Sequence, residues 1–282
     1  MAIKRVDEPD ATDLVAQKIA EFKRHDPLVR ERWTRVILGA LSLTCLVGVY
    51  ALFTSRPANN GSVTPTIGQI LASLVEALGN GQLASAVGAS LERVLIGYAI
   101  GTTAAVIIGS LMGWFRYFDY FFDPVVEVMR PIPPLAYIPL ILIWFGIGEL
   151  SRVTVITLAC FVTCIINVVA GMKEIPRVYV DAAMTLGACR MYIFRTVALP
   201  ATVPFIFTGL RIALAAAWTS LVAAEMLAAQ DGLGFLLQTG RQYFQTSQVM
   251  YVIATIGFLA FLMDRIFRSI QKRLTAWSES IS

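Results

Sequence analysis

Histidine and charge are the two things this sequence holds least of. His25 is the single histidine, and charged residues make up 15% of the chain, against roughly 25% in an ordinary soluble domain. With no other imidazole, there is no His–carboxylate, Ser–His or Cys–His cluster for general acid–base or nucleophilic work, so an integral membrane enzyme is disfavoured. The four cysteines, Cys45, Cys160, Cys164 and Cys189, match no metal-site spacing and are not placed for structural disulfides. Cys160 and Cys164 share a helix face and read as small buried residues. The phosphate-cradling run G-x-x-x-x-G-K-[ST] is absent, so any ATP hydrolysis tied to this chain belongs to a different one. The net charge of +4 comes with no separate aromatic–basic patch, which gives no reason to expect a nucleic-acid partner.

Hydrophobic residues are abundant, at 57%, and that balance disfavours a soluble globular fold. Apolar runs near 35–53, 94–114, within 119–148, and near 153–171, 201–226 and 249–267 predict an all-α integral membrane protein of about six transmembrane helices. Placing the N-terminus in the cytoplasm puts 17 of the 23 Lys and Arg on that side: eight before the first span, Arg116, four within 173–195 and four from Arg265 to Arg273. Only Arg56, Arg152 and Arg241 fall on the other side, while Arg93, Arg130 and Arg211 lie in or near spans. This asymmetry predicts a multi-pass membrane protein with both termini cytoplasmic. The expected organisation is a cytoplasmic segment over 1–32, a transmembrane domain over 33–277 and a short tail over 278–282. The first apolar run is long enough to span and reads as an uncleaved anchor rather than a signal peptide.

Several segments have individual character. Val15, Ile19 and Phe22 fall at helical spacing within 10–25, predicting a surface helix on the membrane or on a partner. Ile67, Ile70, Leu71, Leu74, Val75 and Leu78 share one face of a second amphipathic helix on the outer side, ended by Gly79-Asn80-Gly81. Asp231-Gly232 and Gly234 signal a turn before the last span. Gly97, Gly101, Ala105, Gly109 and Gly113 recur every fourth residue in the second span, a stripe that permits close backbone approach and predicts a central helix. Ala159, Thr163, Asn167 and Gly171 repeat the pattern in the fourth. The third span is interrupted by Pro124, Pro131, Pro133, Pro134 and Pro139; carbonyls freed by proline are tolerated in a membrane only against protein or water, so this segment is expected to line a cavity. Glu127 and Arg130, three apart, are placed to pair along the helix. Arg211 and Glu225 are further ionisable residues at membrane depth, open to two readings: lining a pathway or pairing within the fold.

The most informative stretch is the polar island at 173–200. Pro176 suits the start of a short helix running to Leu186, and Gly187 suits its left-handed stop. Asp181, Ala182 and Ala183 then give a low-profile face that a partner surface can approach, and Leu199-Pro200 is placed to open the next membrane helix. Asp181-Ala182-Ala183, three residues, Gly187, nine residues, Val197, one residue, Leu199-Pro200 resembles the signature loop of the membrane subunits of bacterial ABC importers, with Asp for Glu at 181 and Val for Ile at 197. The runs 130–149 and 208–235 resemble the nitrate, sulfonate and taurine branch of those permeases and look closest to the taurine permeases.

That resemblance, over roughly 85–277, implies a type I importer permease bundle that dimerises with a second permease copy, a homodimer by expectation. It implies an extracytoplasmic substrate-binding protein as donor and an ATPase dimer, carrying ATP and Mg, docked on Asp181, Ala182, Ala183, Gly187, Leu199 and Pro200. No cofactor is expected on this chain. Arg130, Pro131, Pro133, Arg211, Trp218, Thr219, Ser220 and Glu225 are candidate pathway residues. The substrate expectation is a small anion or zwitterion such as taurine or an alkanesulfonate, with nitrate, bicarbonate or another small organic anion as alternatives. An ion-coupled secondary transporter is the competing class, disfavoured because the two halves show no clear internal repeat.

Overall fold

The computed structural model describes residues 27–54 and 64–274, and every described element is helical. They fall into two compact units, divided near Gly61. The first holds one helix, α1 (Pro27–Thr54), whose apolar stretch runs from Ile37 to Leu52. The amphipathic helix expected over 10–25 lies outside the described residues.

The second unit begins with α2 (Ile67–Gly79). Thr66 accepts the Gln69 N–H while the Gln69 side chain accepts the Thr66 N–H at 2.8 Å, a reciprocal cap that satisfies two of the helix's orphan donors. Ile70 and Leu74 pack on the core and Leu71, Val75 and Leu78 stay exposed. Then follow α3 (Gln82–Trp114), α4 (Arg116–Met129), a 3-10 turn (Pro134–Tyr137), α5 (Ile138–Phe145), α6 (Glu149–Lys173), α7 (Arg177–Thr185), α8 (Arg190–Ile193), a π turn (Phe194–Ala198), α9 (Leu199–Ala228), α10 (Leu233–Gln242) and α11 (Thr246–Leu274).

Among the described residues, four helical stretches are long and apolar enough to cross a membrane: 82–114, 149–173, 190–228 and 246–274. The expected third span is not one rod. Helix α4 and the 134–145 segment meet at 89°, because Pro131, Pro133 and Pro134 cannot extend the hydrogen-bond ladder beyond Met129. Counting this bent pair gives up to five spans in the second unit, and the six expected are an approximate count.

Helix α3 is packed within the bundle, as its stripe predicts, and α6 shares the centre with it: α6 packs along both α3 and α9. The small-residue stripes explain the closeness. A Cβ on Gly97 would come within 2.8 Å of Ile156, and one on Gly101 would collide with the Thr157 carbonyl. On the other side of α6, Gly209 lies against Asn167 and Cys164, and Gly171 against Phe205. Lipid is as apolar as leucine, so interdigitation and dispersion, rather than water exclusion, hold such a slab together. Two polar residues in the middle of α6 are satisfied locally: the Thr163 hydroxyl donates to the Ala159 carbonyl and the Asn167 amide to the Thr163 carbonyl at 2.9 Å.

Candidate functional site

At one end of the slab, the chain leaves α6 at Lys173 and makes α7 before re-entering. Pro176 stands just outside the first turn, and Gly187 takes φ +83°, the left-handed stop anticipated at this position. The last turn closes through the Gly187 N–H to the Met184 carbonyl at 2.9 Å and the Ala188 N–H to the Ala183 carbonyl at 3.0 Å. No residue of α7 is buried. Asp181 and Ala182 are exposed and Ala183 half-buried, while Val178, Tyr179, Met184 and Leu186 present apolar side chains outward, Leu186 being 88% exposed.

Beneath this helix the base is firm. Met172, Phe194 and Ala198 form a buried cluster with Trp114 and Ile175, Lys173 pairs with Asp119 at 3.1 Å, and the Phe194 ring lies 5.6 Å from that of Phe115. The regular α-helical ladder of the next membrane helix opens at Leu199-Pro200, with Pro200 in its first turn as anticipated, but the helical stretch as a whole reaches further back. It starts at Arg190 and passes through the π turn, where the Leu199 N–H reaches back to the Phe194 carbonyl. Pro200, lacking a donor, sits where the ladder is already displaced by one residue, which removes much of the usual cost of an internal proline.

The pathway candidates do not gather in one place. Arg130 follows the last turn of α4, and Pro131 and Pro133 form the break. Arg130 lines a cavity of about 350 Å³ with Asp123, Glu127, Met112, Val126 and Ile166. Glu127 and Arg130 share this cavity, but no ion pair joins them among the described residues. Arg211 pairs with Asp264 at 3.2 Å. Trp218 and Ser220 are buried, whereas Thr219 faces outward and its hydroxyl donates to the Ala215 carbonyl.

Glu225 belongs to a group at the opposite end of the slab from α7. Its side chain is fully buried and accepts from the Arg93 guanidinium at 2.6 Å, the Ser90 hydroxyl at 2.9 Å and the Gly234 N–H at 2.8 Å. Arg93, 4% exposed, also forks onto Glu149 through two bonds of 2.7 Å and reaches Asp231 at 2.5 Å. Arg152 adds bonds to Glu149 and to the Ala228 carbonyl. The Ser90 hydroxyl oxygen accepts the Leu233 N–H at 2.8 Å. One buried guanidinium thus ties α3, α6, α9 and the loop into α10, using the planar, multi-donor geometry that lysine lacks. A Cβ on Gly232 (φ +102°) would strike the Glu225 carboxylate, and one on Gly234 would strike the Glu225 Cβ and the Val222 carbonyl. The turn at 231–234 is legible in the sequence but this cluster is not, since its bonded members are separated by up to 143 residues and no local spacing announces them.

Residues 97–276 match the family model described as "Binding-protein-dependent transport system inner membrane component". The chain is 40% identical over 248 residues to a probable ABC transporter permease protein of Brucella abortus, covering 88% of this chain and 98% of the relative. It is 36% identical over 263 residues to the taurine transport system permease protein of Escherichia coli, covering 90% and 96%. The inward-facing MetNI methionine ABC transporter shares the fold, with a TM-score of 0.60 at 22% identity over 69% of this chain and 96% of that one. The chain therefore belongs to the binding-protein-dependent transport system inner membrane components, as an ABC importer permease of the branch that includes taurine, aliphatic sulfonate and nitrate permeases.

Proposed function

We propose that this permease imports a small sulfonate such as taurine, and that an ATPase dimer on separate chains, loaded with ATP and Mg, drives it by docking on α7. The observation that carries the coupling is α7 itself. A helix that buries nothing, shows Val178, Tyr179, Met184 and Leu186 outward and is stopped by a left-handed glycine has the form of a surface waiting for a partner. On this reading the α7 end faces the cytoplasm with both termini, two copies of the chain enclose the path, and an extracytoplasmic binding protein delivers substrate to the opposite end. Closure of the ATPase pair then displaces α7, and the helices move largely as rigid bodies around the path.

The test is purification of the chain from native membranes with whatever accompanies it, followed by ATPase assay. An associated ATPase whose rate rises when a taurine-loaded binding protein is added supports the reading. A chain that purifies alone and moves solute without ATP replaces it with a secondary transporter.

A further inference from the structure

Asp123, Glu127 and Arg130 lie at positions i, i+4 and i+7 of α4 and its cap, so they occupy one helical face. That face opens onto the cavity of about 350 Å³, whose other walls are apolar: Met112 from α3, and Ile166, Val169 and Ala170 from α6. All three charged side chains are exposed, and none has an ion-pair partner among the described residues. They stand on a membrane segment of the chain, one arm of the bent pair, where unpaired charges facing lipid are costly and therefore mark water-filled or ligand-filled space. The break beside them removes the next turn of the ladder, which is tolerated at membrane depth where the backbone borders a cavity.

The charge pattern separates ligand classes. A path for a plain anion needs cations, and two carboxylates beside Arg130 would repel it. A ligand carrying both an oxyanion and an ammonium satisfies the whole face. Neighbours at three and four residues on a helix have Cβ atoms about 5–6 Å apart, a separation that a two-carbon linker between the two charges bridges. A volume of about 350 Å³ also falls in the range of small-molecule pockets.

We propose that this cavity is a binding site for a small zwitterion, with Arg130 holding the oxyanion and Asp123 and Glu127 the ammonium. This rests on the importer reading for its biological use, but the binding itself is testable without it. The experiment places a single reporter thiol at Val126 in full-length chain carrying C45S and C189S, which removes the two exposed native thiols. The alkylation rate is then measured against rising taurine, β-alanine and ethanesulfonate, with I166C as a second reporter should V126C fail to purify as a single species.

Expected is half-protection by taurine or β-alanine at a concentration about tenfold or more below that of ethanesulfonate, the worth of one charge-assisted contact. D123N/E127Q erases that difference, and R130Q abolishes protection by all three. Equal protection by the zwitterions and ethanesulfonate, no protection by any of them, or a preference that survives D123N/E127Q overturns the proposal. Failure of the importer reading shows separately, as a chain without an associated ATPase, and leaves this labelling result to stand on its own.

Discussion

Replacing Arg93 by methionine keeps most of the side chain's apolar volume and removes the one cation bonded to Glu225 among the described residues. The Glu225 side chain has no exposure and would be left with the Ser90 hydroxyl and the Gly234 N–H. Stranding a buried charge in this way costs about 3–5 kcal/mol. The bonds to Glu149 and Asp231 add little, because those side chains are 61% and 59% exposed and such pairs contribute at most about 1 kcal/mol each. Arg152 also remains beside both, at 2.5 and 3.6 Å. The expected loss of about 4 kcal/mol corresponds to a fall in Tm of roughly 10 °C, read by scanning fluorimetry on detergent-purified protein. The double variant R93M/E225Q removes the stranded charge while keeping an acceptor for Ser90 and Gly234, so it should recover more than half of the loss. An R93M protein within about 3 °C of the parent, or a double variant no more stable than R93M, would refute the assignment of this group as the tie that holds the far end of the slab together.

Three further outcomes follow from the same geometry. G187P forces φ from +83° to about −65° and removes the N–H donated to Met184; since α7 buries nothing, Tm should move by no more than about 3 °C while stimulation of the partner ATPase by loaded binding protein is lost, and A183W should behave alike. G101V drives a branched side chain into the Thr157 carbonyl and Cys160, so it should cost about 3 kcal/mol or more and reduce the yield of monodisperse protein on size exclusion. R211Q removes a pair of 3.2 Å from Asp264, which keeps Arg268 at 2.6 Å; stability should fall by less than about 1 kcal/mol with uptake near that of the parent, and a large loss of uptake at unchanged Tm would return Arg211 to the path.

What sequence made legible here is what is local. The helix at 177–185, its proline start and its left-handed Gly187 are dictated within about ten residues, by missing donors and φ preference. The small-residue stripes likewise announced close packing of α3 and α6, though they could not say that α6 takes α3 on one face and α9 on the other. Thr66 and Gln69 form a cap whose spacing was open to view but whose reciprocity only the side-chain geometry reveals. Two things were beyond reach. The bend of 89° is set by how α5 packs back on α6 after the prolines, a tertiary outcome. The Arg93 group joins residues 90–93, 149–152, 225 and 231–234, so each member on its own looked like a stray charge.

The two ends of the slab also bear on how a push on α7 would travel. Helix α7 is joined by only a few residues to α6 on one side and to the 190–228 helix on the other, the two members packed against each other at Gly209 and Gly171. A displacement of α7 is therefore delivered to both at once, and neither can slide past the other without forcing backbone into side chain. At the far end, Glu149, Arg152 and Glu225 on these same helices are tied with Arg93 of α3 into one hydrogen-bonded group. The three helices are thus fixed to one another along their length and pinned at the end farthest from the docking surface, so on the proposed reading a thrust at α7 turns them as one lever. The bent pair from Arg116 to Phe145 stands outside that group and is joined to α6 and α9 by the Lys173–Asp119 pair and by Ile138 and Ile141 packed on Val155 and Ala224. If R93M removes the pin, then on the proposed reading the partner ATPase should go on hydrolysing ATP while the yield of transported substrate per ATP falls, a split that reconstituted vesicles can measure and that simple unfolding would not produce.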